Sequence, residues 1–272
     1  MPIYQWFIRK TSPLLAERLS RLLGLLARGK IKSTVNGACM MLDLGEVIQR
    51  RMFLGVYEPE QTKWARECVG PGDICIDIGA SFGHYATLFA SLVGPDGKIF
   101  AFEPSPLASK VLEDMIHESN IHNIDLIKAA VGEKNGFVNL FLPTTKYLYS
   151  PSIMESDPSF SSVEIPVIAL DTFQPLKQSN KIKIMKIDVE GYEPNVLEGM
   201  KIMLKNRIVE NIFCEFNSWW LSQNSTTTND LFNIFSEYGY VIYKKTEHQK
   251  GLKGHKGSFF DLQDVWFKLN PN

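Results

Sequence analysis

Apolar positions along the chain gather into short, almost unrelieved runs separated by stretches of helical spacing. Residues 74–78 (ICIDI) and 98–102 (KIFAF) are apolar nearly throughout, the pattern of strands covered on both faces of a parallel sheet. Further strand-like runs fall at residues 123–131, 136–142, 163–169, 181–188, 207–217, 240–246 and 261–269. Between them, residues 60–68, 84–90, 106–118, 194–205 and 226–238 read as helices. A chain of 272 residues accommodates one large α/β domain or two small ones. We expect residues 71–272 to form the core domain and residues 1–70 to pack on it as an extension. No repeats and no second core are legible.

In that extension Leu15, Leu19, Leu22 and Leu26 recur at spacings of four, three and four, with Glu17, Arg18 and Arg21 on other faces. This predicts an amphipathic helix starting near Ser12-Pro13, with serine as cap and proline in the first turn. Three readings stay open for residues 12–28: packing on its own domain or a partner subunit, peripheral contact with a membrane surface, or disorder. The apolar stretch is too short and too charged for a transmembrane segment, and no signal-peptide cleavage site follows it. Asn36-Gly37 between strand-prone arms signals a two-residue hairpin. Residues 46–53 suit a helix whose Arg50 and Arg51 read as a solvated face.

Composition narrows the function more than the fold. A hydrophobic share of 44% and a charged share of 22% are those of a soluble globular protein. The net charge of −1 gives no electrostatic footprint for nucleic acid. Cys39, Cys68, Cys75 and Cys214 are scattered, without C-x-x-C or zinc-ligand spacing, which suits a reducing, cytoplasmic setting.

The chemistry concentrates around residues 73–86 (DICIDIGASFGHYA). A buried strand, the turn from Gly79 through Ser81 to Gly83, and a helix N-terminus bring backbone N–H groups to the carboxyl edge of a sheet. Glu103 closes the next buried strand 20 residues past Gly83, where a carboxylate can accept from both hydroxyls of a ribose. A dinucleotide fold requires G-x-G-x-x-G; here the pattern is G-x-x-x-G, with bulky Phe82 beside the second glycine. Asp77, just before the first, would repel a pyrophosphate and welcome an amino-acid ammonium. The turn therefore favours S-adenosylmethionine over NAD. Ala130 and Val131, ending the third strand, are placed to pack on the adenine.

DIGASFGHYA, FAFEP and KIDVEGYEPNVLEGM (residues 186–200) resemble the motifs of FkbM-type methyltransferases. The resemblance spans about residues 40–269 and implies a class I, Rossmann-like methyltransferase fold. Its seven-stranded sheet carries one antiparallel strand, here the last, between the fifth and sixth strands. It also implies O-methylation of a hydroxyl on a sugar, glycan or small natural product, and it directs the loop holding Tyr57 and Glu58 toward the cofactor. An NAD-linked enzyme or a catalytically silent nucleoside-binding module is the alternative.

Methyl transfer to an alcohol requires alignment and removal of the hydroxyl proton. Asp188 is the first candidate base and Glu190 the second, with His84 and Glu215 beside them. Asp188 also stands at the cofactor edge. Tyr57, Lys186 and Asn217 are candidate acceptor contacts, though an internal ion pair such as Lys186 with Glu190 is the plainer role for the charged cluster. The carboxylates could also hold a divalent ion, which the sequence leaves undecided. Residues 143–162, rich in serine and carrying Tyr147, Tyr149 and Phe160, read as an acceptor lid or a disordered insert. A homo-oligomer is open.

Overall fold

The computed structural model describes residues 13–26, 29–142, 153, 161–176, 181–246, 249–253 and 259–271. The chain divides into two compact units, one drawn from residues 1–73, 82–99 and 110–125, the other from residues 74–81, 100–109 and 126–272.

In the first unit, helix α1 (Pro13–Leu26) precedes a hairpin of β1 (Lys30–Val35) and β2 (Ala38–Asp43). Asn36 and Gly37 both take positive φ, at 51° and 87°, as a two-residue hairpin turn demands. Helix α2 (Val47–Leu54) is capped by the Glu46 side chain and stopped by left-handed Gly55. Helices α3 (Pro59–Cys68) and α4 (His84–Val93) follow, with α5 (Pro106–Glu118) crossing between the units. The hairpin is tied to the end of α5, where Cys39 N–H donates to Ser119 Oγ at 2.8 Å.

Arg50 corrects the reading of a solvated face, because its guanidinium is buried. It donates from Nη1 to Leu44 O at 2.7 Å and from Nε to Ser20 Oγ at 3.3 Å, the bonds a buried charge requires. Gly24 of α1 lies against it, and a Cβ there would stand 2.6 Å from the guanidinium. Helix α1 thus meets α2 through small residues, Ser20 and Gly24, while Leu15 and Leu22 of the leucine stripe are exposed.

The main sheet is drawn for the most part from residues of the second unit. Its strands are β3 (Ile74–Ile78), β4 (Lys98–Phe102), β5 (Ile124–Ile127), β9 (Ile184–Ile187), β10 (Asn211–Asn217), β11 (Tyr240–Lys245) and β13 (Phe259–Leu269). They run in the order β11-β13-β10-β9-β3-β4-β5. Strand β9 lies parallel to both β3 and β10, and β13 is antiparallel to both β10 and β11. This is the expected seven-stranded Rossmann-like α/β sheet with its one reversed strand. Its core joins Ile76, Ile78, Phe102, Met185, Ile187, Phe216 and Phe267.

Three boundaries differ from expectation. The strand expected over residues 123–131 breaks after Ile127, where Ala129 N–H turns back to Ile127 O at 2.9 Å. Ala130 and Val131 form β6 of a separate sheet, ordered β6-β8-β7, with β7 (Gly136–Leu142) and β8 (Ser161–Ile168). The helix expected through Lys205 is two, α6 (Glu193–Glu198) and α7 (Lys201–Lys205). Gly199 comes so close to Gly132 that a Cβ would stand 1.9 Å from its carbonyl oxygen, and the Asp171 carboxylate takes the N–H groups of Ile202 and Met203. The stretch expected as an exposed loop holds β12 (Gln249–Lys253), which pairs with the long β13 where β11 has ended. Helices α8 (Ser218–Gln223) and α9 (Thr228–Glu237) complete the unit. Among the described residues, no helix is long and apolar enough to cross a membrane.

Candidate active site

The site is built at the carboxyl ends of β9, β3 and β4, which are neighbours in that order. After Ile78 the chain turns sharply, and the N–H groups of Gly79 and Ala80 both donate to Phe102 O at 3.0 Å. Gly79 has φ +80°, and a Cβ there would stand 1.9 Å from Asp188 O. The neighbouring backbone, not only a ligand, therefore requires glycine at this turn. Ser81 also adopts positive φ, 50°, which aims its N–H at Glu103.

Glu103 accepts from Ser81 N–H at 2.7 Å on one oxygen and from Ser105 N–H at 2.8 Å on the other. It is only 4% exposed. Burial pushes its carboxyl up to about 7, against the pull of those two N–H groups and with the Asp77 charge adding to the rise. Each oxygen keeps acceptor capacity. Further donors such as a vicinal diol would favour the ionised form that burial disfavours.

On the neighbouring strands β3 and β9, Asp77 and Lys186 are in register. The Lys186 ammonium, buried, lies 3.0 Å from Asp188 Oδ2 and 3.9 Å from Asp77 Oδ1. Lys186 thus forms ion pairs with Asp188 and Asp77. The cation facing Asp77 in the chain itself is Lys186. Asp188 is the member open to solvent, its side chain 32% exposed.

Past Asp188 the backbone enters a loop in which Glu190 and Gly191 have φ of +51° and +93°. A Cβ on Gly191 would stand 2.7 Å from Trp220 backbone atoms. Glu193 holds this loop from below, its Oε1 accepting from Val189 N–H at 3.3 Å and Gly191 N–H at 3.2 Å. Burial pushes its carboxyl up to about 7 as well. The motif of residues 186–200 contains Glu193, but the sequence alone assigns it no role. The available signal was Pro194 directly after it, which fixes an acid in the first helical turn with its carboxylate turned back toward the loop.

The other candidates lie further along the same edge or elsewhere. Cys214 pairs with Ile187, so Glu215 stands on the strand next to Asp188, opposite Asp264 of β13. Asn217 caps α8, its Oδ1 accepting from Trp219 and Trp220 N–H. Ala130 and Val131 are buried, paired with Val167 and Ile168.

In the first unit, Gly83 packs on α5, where a Cβ would stand 2.4 Å from Leu112 Cδ1. His84 opens α4 with its ring edge-on to Tyr57, centroids 4.8 Å apart, and to Tyr85 at 5.1 Å. Tyr85 O–H donates to Glu58, which holds a left-handed backbone at φ 41°. Tyr147, Tyr149 and Phe160 lie outside the described residues. Among the described residues, no group of three His, Cys, Asp or Glu side chains is gathered as a metal site would be.

Residues 77–242, more than half of the chain, match the methyltransferase FkbM domain. Similar solved structures include the FkbM methyltransferase of Methylobacillus flagellatus KT, 12% identical with a TM-score of 0.43, covering 93% of this chain and 59% of that one. An rRNA methylase from Streptococcus thermophilus is 12% identical with a TM-score of 0.44, over 78% of this chain and 95% of that one. TYW2 of M. jannaschii, in complex with AdoMet, is 12% identical with a TM-score of 0.39, over 90% and 88%. No curated protein sequence matches. By the domain match and the sheet that carries it, the chain belongs to the FkbM family of methyltransferases.

Proposed function

We propose that the chain transfers a methyl group from S-adenosylmethionine to a hydroxyl of a sugar, glycan or small natural product. The observation that supports this most is the trio of adjacent strand ends. One carries a buried carboxylate with spare acceptor capacity, Glu103, and another carries a half-open one, Asp188, held by a buried lysine. When bound, the cofactor supplies a methyl already activated on a sulfonium. Glu103 would hold the ribose hydroxyls, and the turn at Gly79 and Ser81 would border the rest.

For the acceptor, Asp188 would take the hydroxyl proton as the new bond forms. Lys186 fixes the rotamer of that carboxylate from one side and leaves the other side to the acceptor. Glu190, on the strained loop just beyond, is the second candidate, and chelator treatment checks a metal-assisted route. Four cysteines without a disulfide among them suit a cytoplasmic setting.

The test is calorimetry with S-adenosylmethionine and with NAD, followed by incubation with labelled cofactor and a saccharide panel. We expect binding of the first only, and a labelled methyl ether by mass spectrometry. Binding of NAD, or label appearing on nitrogen or carbon and never on oxygen, would overturn the reading.

A further inference from the structure

A second polar feature lies on the same sheet, away from the carboxylates. A cavity of 710 Å³, within the usual range for ligand sites, opens among α8, α9, β11 and β13. Its lining is polar and in part exposed, with Ser218, Thr228, Asn229, Lys245 and Gln263 around a single aromatic ring, Phe232.

Gln263 is the informative residue. It sits inside β13, paired with Phe216 of β10, and is only 6% exposed. Among the described residues, none hydrogen-bonds to its side-chain amide. Gln263 lines the cavity, so its amide meets water there or a ligand that can take the water's place. Asn229, Thr228 and Lys245 likewise point no polar atom at another described side chain. By contrast, Ser218 Oγ already accepts from Asp261 N–H and keeps its own proton and one lone pair to offer. The wall therefore presents amide groups, hydroxyls and one ammonium to whatever occupies it.

That set matches a saccharide. A carboxamide can donate to one hydroxyl of a vicinal pair while accepting from the next. Phe232 is anchored by an edge contact to Phe216 and a tilted one to Phe267 and offers its remaining surface to the C–H face of a ring. The location fits too. Gln263 stands two strands from β9, about 10 Å across the sheet, and level with the residues just past Asp188. A short oligosaccharide bridges such a distance.

We propose that this cavity is a saccharide subsite, holding a non-reacting sugar of the acceptor while a neighbouring hydroxyl is methylated. The assignment rests on the proposed transfer to a sugar, and its test is separable from that reading. Ligand-observed NMR on the full chain without cofactor would use methyl α-glucoside, methyl α-mannoside, methyl β-galactoside and N-acetylglucosamine, with glycerol as control. At least one saccharide should bind and glycerol should not. Gln263→Leu and the surface change Asn229→Ala should each weaken binding at least about tenfold, leaving affinity for S-adenosylmethionine within twofold. If Gln263→Leu fails to fold, Asn229→Ala alone decides.

No binding by any saccharide, or unchanged binding in the folded variants, overturns the subsite. Saccharide binding with no methylated product would leave the subsite standing and remove the proposed function. Methylated saccharides whose KM ignores both substitutions would do the reverse.

Discussion

Glu103 is a carboxylate buried beside another acid, satisfied by two backbone N–H groups and still pushed up to about 7. If ribose hydroxyls donate to its ionised form, binding of S-adenosylmethionine releases a proton near neutrality. Affinity should then rise with pH, by about tenfold between pH 6 and 8, and calorimetry in buffers of different ionisation enthalpy should detect the proton. Glu103→Ala should cost about 2–4 kcal/mol of cofactor binding and flatten that pH profile. An unchanged dissociation constant would remove Glu103 from the site. Asp188→Asn keeps the shape of the side chain and removes its basicity. Turnover should fall at least about a hundredfold with cofactor affinity nearly intact, and wild-type turnover would move the role to Glu190.

At the scale of elements, two glycines with nearly the same backbone make opposite predictions. Gly37, φ +87°, faces open space, whereas a Cβ on Gly79, φ +80°, meets the Asp188 carbonyl. Gly37→Ala should cost about 1 kcal/mol from conformation alone. Gly79→Ala should cost several times that, because two strand ends must separate, and urea titrations of the pair would expose equal costs if the packing argument fails. The same contrast explains what was legible beforehand. The strand at Ile74–Ile78, the Asn36-Gly37 turn and the helix at Pro106–Glu118 follow from local pattern, which adjacent residues carry. The buried Arg50, the break at Gly199 and the separate pairing of Ala130 and Val131 are set by partners distant in sequence. In the site, Asp77, Glu103 and Asp188 stood out as acids ending apolar runs. The bridging position of Lys186 and the buttress from Glu193 depend on strand order, which no local pattern encodes.

For the whole molecule, Glu103 and Glu193 act in the same direction. Both have folded-state values raised by burial from an ordinary 4.5 to about 7, so the fold favours their protonated forms. Their stabilising contribution is fully present below about pH 4.5 and is lost as pH rises through about 7, on the order of 3 kcal/mol for each. The melting temperature without cofactor should therefore fall between pH 5 and 8. Glu193→Gln, neutral at every pH, should make that fall shallower, and an identical fall in the variant would show that Glu193 titrates normally. Bound cofactor should lessen the same decline through Glu103.

The reversed strand β13 has a consequence for how the chain is made. It lies between β10 and β11, both synthesised before it, so those two strands wait with open edges until residues 259–269 leave the ribosome. Until then the sheet is split, and unpaired strand edges are templates for association with other chains. Closing it requires pairings remote in sequence, which are slow to form. Nascent chains halted before β13 are thus the species most in need of chaperones, and in this fold the last strand in the sheet is the one that seals it.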